Sequence, residues 1–459
     1  MKIYIKGGRV IDPSQSIDMT ADLLIADGTI EGIYEPGTGG LDADTEVIDA
    51  SGMWVVPGLI DTHVHFREPG FEYKEDIKSG CEAAAAGGFT TVCVMPNTEP
   101  VTDTPETVEY VLAKANEACG VRVLPAAAIT KGQQGEALTD FSALKAAGAV
   151  GVTEDGRSVK NIKLMREAMR QAKALGLPVM DHAEQPQMID GGYINRGKFS
   201  EMSGLAGIPA EAEEMMSARD ILLAKETGCH LHLQHVSTKP CFDMIRNAKA
   251  WGVHVTAETC PHYFSMSDGD VVMPAGSDAA MAALEGSESY HFSYTPTGMV
   301  ADTHRKMNPP LRTRRDMYAT VTALMDGTID VICTDHAPHS RYEKAKDFAE
   351  APFGIIGLET SFAISYTELV EKDFITPSRL IALMSTNPAK VLGIEGGTLA
   401  EGARADVAIM DVATAYTVPH HGFKSKAENT PFAGRPVKGQ TVVTIAAGEV
   451  IYRRKVDDR

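Results

Sequence analysis

His63 and His65 stand two residues apart in the segment Asp-Thr-His-Val-His-Phe-Arg. In an extended chain, positions i and i+2 project to the same side, so both imidazoles can face one ion. Such a pair alone carries little weight. It gains weight because further donors close other apolar runs: His182 in Val-Met-Asp-His, His235 in His-Leu-Gln-His, and Asp335 in Cys-Thr-Asp-His-Ala-Pro-His. Four imidazoles and a carboxylate form a donor set for divalent metal. Two neighbouring ions need an anion between them, and Asp155 in Thr-Glu-Asp-Gly is the candidate, with Gly156 allowing the chain to turn behind it. On its own Asp155 reads as an ordinary turn aspartate, and Glu154 beside it is a rival ligand. Paired metals of this kind generate a water nucleophile and polarise carbonyls, which is hydrolytic chemistry.

These donors need a frame that gathers chain segments far apart in sequence. Eight β-rich apolar runs supply it: Gly58–His65, Thr90–Met95, Arg122–Ala127, Ala149–Thr153, Pro178–His182, His230–His235, His254–Glu258 and Asp330–Thr334. Helical stretches alternate with them, including Tyr73–Ala86, Thr104–Ala118, Ile162–Ala174, Ala210–Thr227 and Arg314–Met325. Eight successive βα units predict an α/β fold, a (β/α)₈ TIM-like barrel, whose chemistry lies at the carboxyl ends of its strands. Every candidate ligand sits at such an end. Short strands with Gly and Asp turns mark both chain ends: Ile3–Ile5, Asp22–Ala26, Thr29–Tyr34 and Glu46–Asp49, then Asp406–Met410, Thr441–Ala446 and Val450–Arg453. The expected organisation is a catalytic barrel over residues 55–399 and a small β-sandwich-like module from residues 1–54 and 400–459.

A chain of 459 residues suits a large barrel with an appended module. The net charge of −19 is spread along the chain and argues against nucleic acid, since nothing would neutralise phosphates. A small basic pocket for an anionic substrate stays compatible with it. Seven scattered cysteines, Cys119 among them, lack any CxxC pair and read as reduced thiols of a cytoplasmic protein. The N-terminus alternates like a strand and has no signal-peptide pattern, and no apolar run is long enough to span a bilayer.

The segments HVHFREPG (His63–Gly70), GGFTTVCVMPNT (Gly87–Thr98), KMNPPLR (Lys306–Arg312), TDHAPH (Thr334–His339) and APFGIIGLET (Ala351–Thr360) resemble the amidohydrolase superfamily. Within it the chain is similar to the cyclic amidohydrolases, and among those to the bacterial dihydroorotases, over nearly its whole length. The resemblance implies zinc, two ions per subunit. His63, His65 and Asp335 would hold one, His182 and His235 the other, and Asp155 would bridge them. Hydantoinases and dihydropyrimidinases bridge with a carboxylated lysine on the fourth strand. Here Lys160 and Lys163 come only after the glycine turn, which matches the aspartate-bearing dihydroorotase branch, although that branch usually carries Asp-Asp-Gly rather than Glu154-Asp155-Gly156.

The resemblance also implies that Arg67, Asn97 and His339 meet a substrate carboxylate, while Asn308 and the Phe353–Gly354 backbone meet its ring. A guanidinium suits a carboxylate because it binds bidentately; the plain alternative for Arg67 is an ion pair with Glu68 or Glu72. The implied reaction interconverts dihydroorotate and N-carbamoyl-aspartate, with Asp335 as general base and then general acid. Implied too are a homo-oligomer, dimer or tetramer, and a small cyclic amide as partner. The alternatives are a hydantoinase, dihydropyrimidinase or allantoinase, or a catalytically inactive structural homologue. His230 and His232 read as packing between barrel and helices, because their parity along the strand is opposite to that of His235. His254, His291, His304, His420 and His421 have no assigned role. His262, at the end of the seventh strand, reads as packing or, less simply, as lining the site. Between Pro261 and Lys306 lie about 45 residues rich in Gly, Ser, Asp and Met, long for a loop. Leaving from the catalytic face, they read as a lid, a subunit contact or a specificity element.

Overall fold

The computed structural model describes residues 2–39, 43–118, 120–286 and 289–455. Cys119 lies outside them. Eight parallel strands form the barrel: β1 (Leu59–Val64), β2 (Phe89–Val94), β3 (Arg122–Ala128), β4 (Gly151–Thr153), β5 (Val179–Asp181), β6 (Leu231–Leu233), β7 (Val255–Thr259) and β8 (Val331–Ile332). Each pairs with the next in chain order. Between β8 and β1 the ring is drawn together by a bridge of Val64 to His336 and by a hydrogen bond from His65 N–H to the His336 carbonyl at 2.8 Å. Runs such as Leu59–Val64 and Phe89–Val94 are buried at every position, as parallel strands covered on both faces require.

Helices return the chain from each strand to the next. They are Ile77–Ala86, Pro105–Asn116, Phe141–Ala147, Ile162–Leu175, Glu211–Thr227, Lys239–Ala250, Arg314–Met325 and, after β8, two helical runs, Ser361–Val370 and Pro377–Leu392, each with a stretch of wider turn. The first starts later than its apolar pattern suggests, because the Asp76 side chain caps it by accepting from Ser79 N–H. Five strands, the first, second, fifth, sixth and eighth, end one or two residues earlier than expected, while the third and seventh run one residue further. His65, Asp155, His182, His235 and Asp335 all lie just past the last ladder residue, free of the sheet's geometry.

Both chain ends build one mixed sheet. Lys2–Asp12 pairs antiparallel with Ile17–Ala26, which pairs with Thr29–Tyr34, while Glu46–Asp49 joins the first strand. Trp54–Pro57 straddles the expected boundary and links the two ends, pairing with Arg9–Val10 on one side and Val407–Met410 on the other. Gln440–Ala446 and Glu449–Arg453 complete the order. Its core is separate from the barrel's and includes Ile3, Ile5, Leu23, Ile25, Val407, Ile409 and Ile445. The chain between Asp411 and Gln440 leaves this sheet and reaches the barrel, where Asn429 accepts from His339 N–H at 3.2 Å.

The long segment after β7 is not a bare loop. It carries a helix, Asp278–Glu285, and a three-stranded antiparallel sheet of Val272–Met273, Phe292–Tyr294 and Val300–Asp302. No helix among the described residues is long and apolar enough to cross a membrane.

Candidate metal centre and substrate cavity

At the carboxyl ends of the strands, four of the six predicted ligands converge on Asp155, and the sixth, Asp335, stands beside two of them. Asp155 Oδ1 lies 3.3 Å from His63 Nε2, 3.7 Å from His182 Nδ1 and 3.8 Å from His235 Nε2, and its Oδ2 lies 3.5 Å from His65 Nε2. Asp335 Oδ1 stands 3.1 Å from His65 Nε2 and 3.5 Å from His63 Nε2. His182 Nδ1 and His235 Nε2 are 2.8 Å apart. Zinc bonds of about 2.0–2.2 Å in tetrahedral geometry put neighbouring ligand atoms roughly 3.3–3.6 Å apart, so the separations around Asp155 and Asp335 are near those of donors around shared ions, whereas His182 and His235 are at hydrogen-bond distance. Three sets of three here meet the spacing for one ion, His63 with His65 and Asp335, His63 with Asp155 and His235, and His63 with Glu258 and Cys333; His182 is in none of them.

Polar bookkeeping supports the same conclusion. His63 Nε2 is buried with no hydrogen-bond partner, while Nδ1 is given to Glu258 at 2.8 Å. Two carboxylates share this buried cluster with four imidazoles. Burial pushes the Asp335 carboxyl up, yet the His63 charge and the His65 hydrogen bond outweigh it and hold it at about 2. Burial likewise opposes Asp155, whose carboxyl is nonetheless held well below its usual range by His63 and His235. A buried cluster of anions and ring lone pairs is what a divalent cation satisfies.

Local backbone aims these groups. Glu154 is not a rival: its carboxylate turns away to accept from Thr130 N–H at 3.0 Å and from the Thr130 hydroxyl. Gly156, at φ 74°, makes the turn behind Asp155. No lysine lies on β4, and both Lys160 and Lys163 are exposed. His235 and Asp335 adopt φ of 34° and 48°, a conformation side-chain-bearing residues rarely take. The kink at His235 breaks strand parity. His232 therefore points to the centre rather than outward as expected, with Nε2 3.0 Å from Glu258. Glu258, on β7, was not singled out by the sequence. It ties His63, His232 and the Thr62 hydroxyl together.

A cavity of about 160 Å³ opens beside this cluster, lined by Arg67, Asn97, Asn308, His339, Phe353 and Gly354 among others. Arg67, at φ 61°, gives Nε–H to the Pro338 carbonyl at 3.3 Å. It forms no ion pair among the described residues. Glu68 and Glu72 are spent elsewhere, Glu68 on Ile77 N–H and the Tyr110 hydroxyl, Glu72 on Gly70 N–H. His339 donates Nε2–H to the Phe353 carbonyl at 2.8 Å, and burial keeps it neutral by lowering its pKa to about 3. Asn97 has a role not foreseen: Oδ1 accepts from His65 Nδ1 at 2.9 Å and Nδ2 donates to Asp155 Oδ2 at 3.2 Å. Asn308 donates to Glu184 at 3.0 Å, leaving its buried Oδ1 without a partner. Gly354, at φ 126°, admits no side chain, since a Cβ would lie 2.8 Å from Ala337 Cβ.

The remaining histidines stay outside the cavity wall. His262 is buried and does not line it. His230 and His254 stack on each other at 4.2 Å. His291, Asp302 and His304 form another close group, but the rings stack in parallel at 3.8 Å and Asp302 is already paired with His291 and Arg305. Parallel rings cannot both aim a lone pair at one ion, so this group reads as a packed ion-pair cluster.

A family model described as "Dihydro-orotase-like" matches residues 52–241. A dihydroorotase of Geobacter metallireducens is 47% identical over 458 residues, 99% of this chain and 100% of that protein. One of Syntrophus aciditrophicus is 44% identical over 453 residues, with the same coverage. Among solved structures, the L-hydantoinase (dihydropyrimidinase) of Arthrobacter aurescens superposes with a TM-score of 0.82 at 26% identity, covering 98% of this chain and 96% of that one. The dihydropyrimidinase of Brevibacillus agri gives 0.79 at 24% identity over 99% and 95%, a likeness of fold. With identity at this level along its full length, and a His/Asp cluster at the mouth of a (β/α)₈ barrel, the chain belongs to the dihydroorotase family of cyclic amide hydrolases.

Proposed function

We propose that this protein interconverts dihydroorotate and N-carbamoyl-aspartate, a step of pyrimidine synthesis, with two zinc ions held by His63, His65, His182, His235, Asp155 and Asp335. One observation carries the substrate assignment: the Arg67 guanidinium faces a small cavity beside the cluster and has no carboxylate of its own. A substrate carboxylate supplies the missing partner, and neutral dihydrouracil or hydantoin does not. Asn308 Oδ1, buried and unpaired, is an acceptor for a ring N–H. Cys93, Cys229, Cys241, Cys260 and Cys333 are buried thiols with no disulfide among the described residues, which supports the cytoplasmic setting.

Divalent ions bound by these donors supply Lewis acidity, making water nucleophilic near neutral pH and polarising the scissile carbonyl. Asp335 engages the imidazoles through Oδ1, which leaves Oδ2 to accept the proton of the attacking water and return it to the leaving ring nitrogen. Asn97 and Glu258 hold His65 and His63 in place. Arg67, with His339 and the Phe353–Gly354 wall, orients the ring. Assay of the purified protein against dihydroorotate, dihydrouracil, hydantoin and allantoin tests the reading. Turnover of dihydroorotate well above the neutral rings is expected; the reverse order refutes it.

A further inference from the structure

Lys306 and Lys344 are among the most buried side chains of the molecule, 2% and 0% exposed. Neither forms an ion pair among the described residues. Their ammonium groups are instead spent on main-chain carbonyls of one short segment. Lys306 Nζ donates to Phe348 at 2.6 Å, Ala349 at 3.1 Å and Ala351 at 2.5 Å. Lys344 Nζ donates to Pro352 and Gly354, each at 3.0 Å, and sits 3.5 Å from the Lys306 carbonyl. An ammonium has three N–H donors, so both are fully used. The Lys306 Nζ also lies 4.7 Å from the Phe353 ring centre and 4.8 Å from that of Tyr193.

That segment ends in the substrate wall. Phe353 and Gly354 line the cavity, the Phe353 carbonyl orients His339, and Gly354 N–H returns a bond to the Lys306 carbonyl at 2.9 Å. Two buried charges thus hold this segment through the carbonyls of Phe348, Ala349, Ala351, Pro352 and Gly354. Keeping such charges out of water is costly without a counter-ion, so packing alone does not account for them.

We propose that Lys306 and Lys344 are positioning residues that clamp Phe348–Gly354 in its substrate-binding conformation, and that loss of an ammonium proton releases this wall. The proposal rests on the cavity being the substrate site. Burial pushes Lys344 down to about 7 and Lys306 down to about 8. Around Lys344, Asp302 and Glu343 favour its charge and Lys306 opposes it. His304 and His339 also face it, both kept neutral by burial. Lys306 has the Tyr193, Phe348 and Phe353 rings around it. The clamp is therefore complete below pH 7 and opens as pH rises through 7 and 8.

Steady-state kinetics of the zinc-loaded enzyme with dihydroorotate from pH 6 to 9.5 test this, alongside K306M and K344M. In wild type, KM should rise at least severalfold between pH 6.5 and 9, with a much smaller change in kcat. Both variants should show a KM about tenfold or more above wild type at pH 6.5, a flattened pH dependence of KM, and unchanged zinc content. A variant that folds yet keeps the wild-type KM and pH profile overturns the proposal. Hydrogen exchange of the 348–354 amides in wild type decides the matter should the variants not fold. After correction for intrinsic rates, protection should fall between pH 6.5 and 9, and unchanged protection overturns the clamp. Exchange needs no substrate, so failure of the clamp is distinct from a wild type that does not turn over dihydroorotate.

Discussion

His63 donates a hydrogen bond from Nδ1 to Glu258 Oε1 at 2.8 Å, with both side chains fully buried. The contact fixes which nitrogen of His63 is free: Nε2, aimed at Asp155 and Asp335. Carboxylates behind ligating histidines set ring orientation and basicity, and their loss costs about 10–100-fold in metal affinity. Glu258→Gln should weaken metal binding by that factor in chelator competition. An affinity equal to wild type would show that His63 is oriented by packing alone.

Metal dependence itself is the broader test. Prolonged chelation should abolish turnover, and restored zinc should bring it back, with about two ions per chain at saturation. Full activity in protein verified free of metal by elemental analysis would end the hydrolytic mechanism proposed here.

Asp335 is asked to bind metal and to carry a proton. Asp335→Asn keeps the shape and removes the base, so kcat should fall by at least the roughly 10²–10⁴-fold of a lost acid–base group. A variant within a few-fold of wild type, with metal retained, would move the proton to another group.

Arg67→Ala removes the guanidinium that has no carboxylate partner among the described residues. A charge-assisted bidentate contact in a partly dry pocket is worth roughly 1.5–3 kcal/mol, so KM for dihydroorotate should rise about ten- to a hundredfold. Zinc content should stay constant. Were KM unchanged, the carboxylate would be recognised elsewhere.

Gly354→Ala is the smallest change with a large expected effect. The residue has φ 126°, and a methyl group there would meet Ala337 Cβ at 2.8 Å and the Ala337 carbonyl at 2.9 Å. Strain of about 1–3 kcal/mol at such a position should lower thermal stability and raise KM together. Wild-type values for both in the purified variant would mean that the wall yields freely.

Much of this site was legible in one dimension. Metal ligands follow strand ends, and strand ends follow apolar runs, so the His63–His65 spacing and the isolated His182, His235 and Asp335 were readable as a set. The supporting contacts were not, for definite reasons. Glu258 lies 195 residues from its partner His63 and sits in a run that reads simply as strand. His232 was assigned the wrong face because counting parity assumes an unbroken strand, and the φ of 34° at His235 breaks it. Asn97 reads as a substrate contact in the sequence, whereas its amide spans His65 and Asp155, a relation only closed-barrel geometry creates. Lys306 lay within a motif already noted, yet nothing in a linear motif distinguishes an exposed lysine from one buried against carbonyls of residues 348–351.

Trp54–Pro57 is a strand between two ends of the chain, and one of its neighbours, Val407–Met410, follows roughly 350 residues later. A ribosome working at about 5–20 residues per second needs roughly 20–70 s to span that interval. Through that time the edge of Trp54–Pro57 that Val407–Met410 will cover stays unpaired, and an open strand edge invites pairing with another chain. Asn429, which ties His339 to the Gly354 carbonyl, emerges later still. The nascent barrel can therefore gather its early ligands well before its substrate wall is braced. Its window of exposure to aggregation runs through the synthesis of residues 58–406, when a chaperone that shields strand edges would raise yield most.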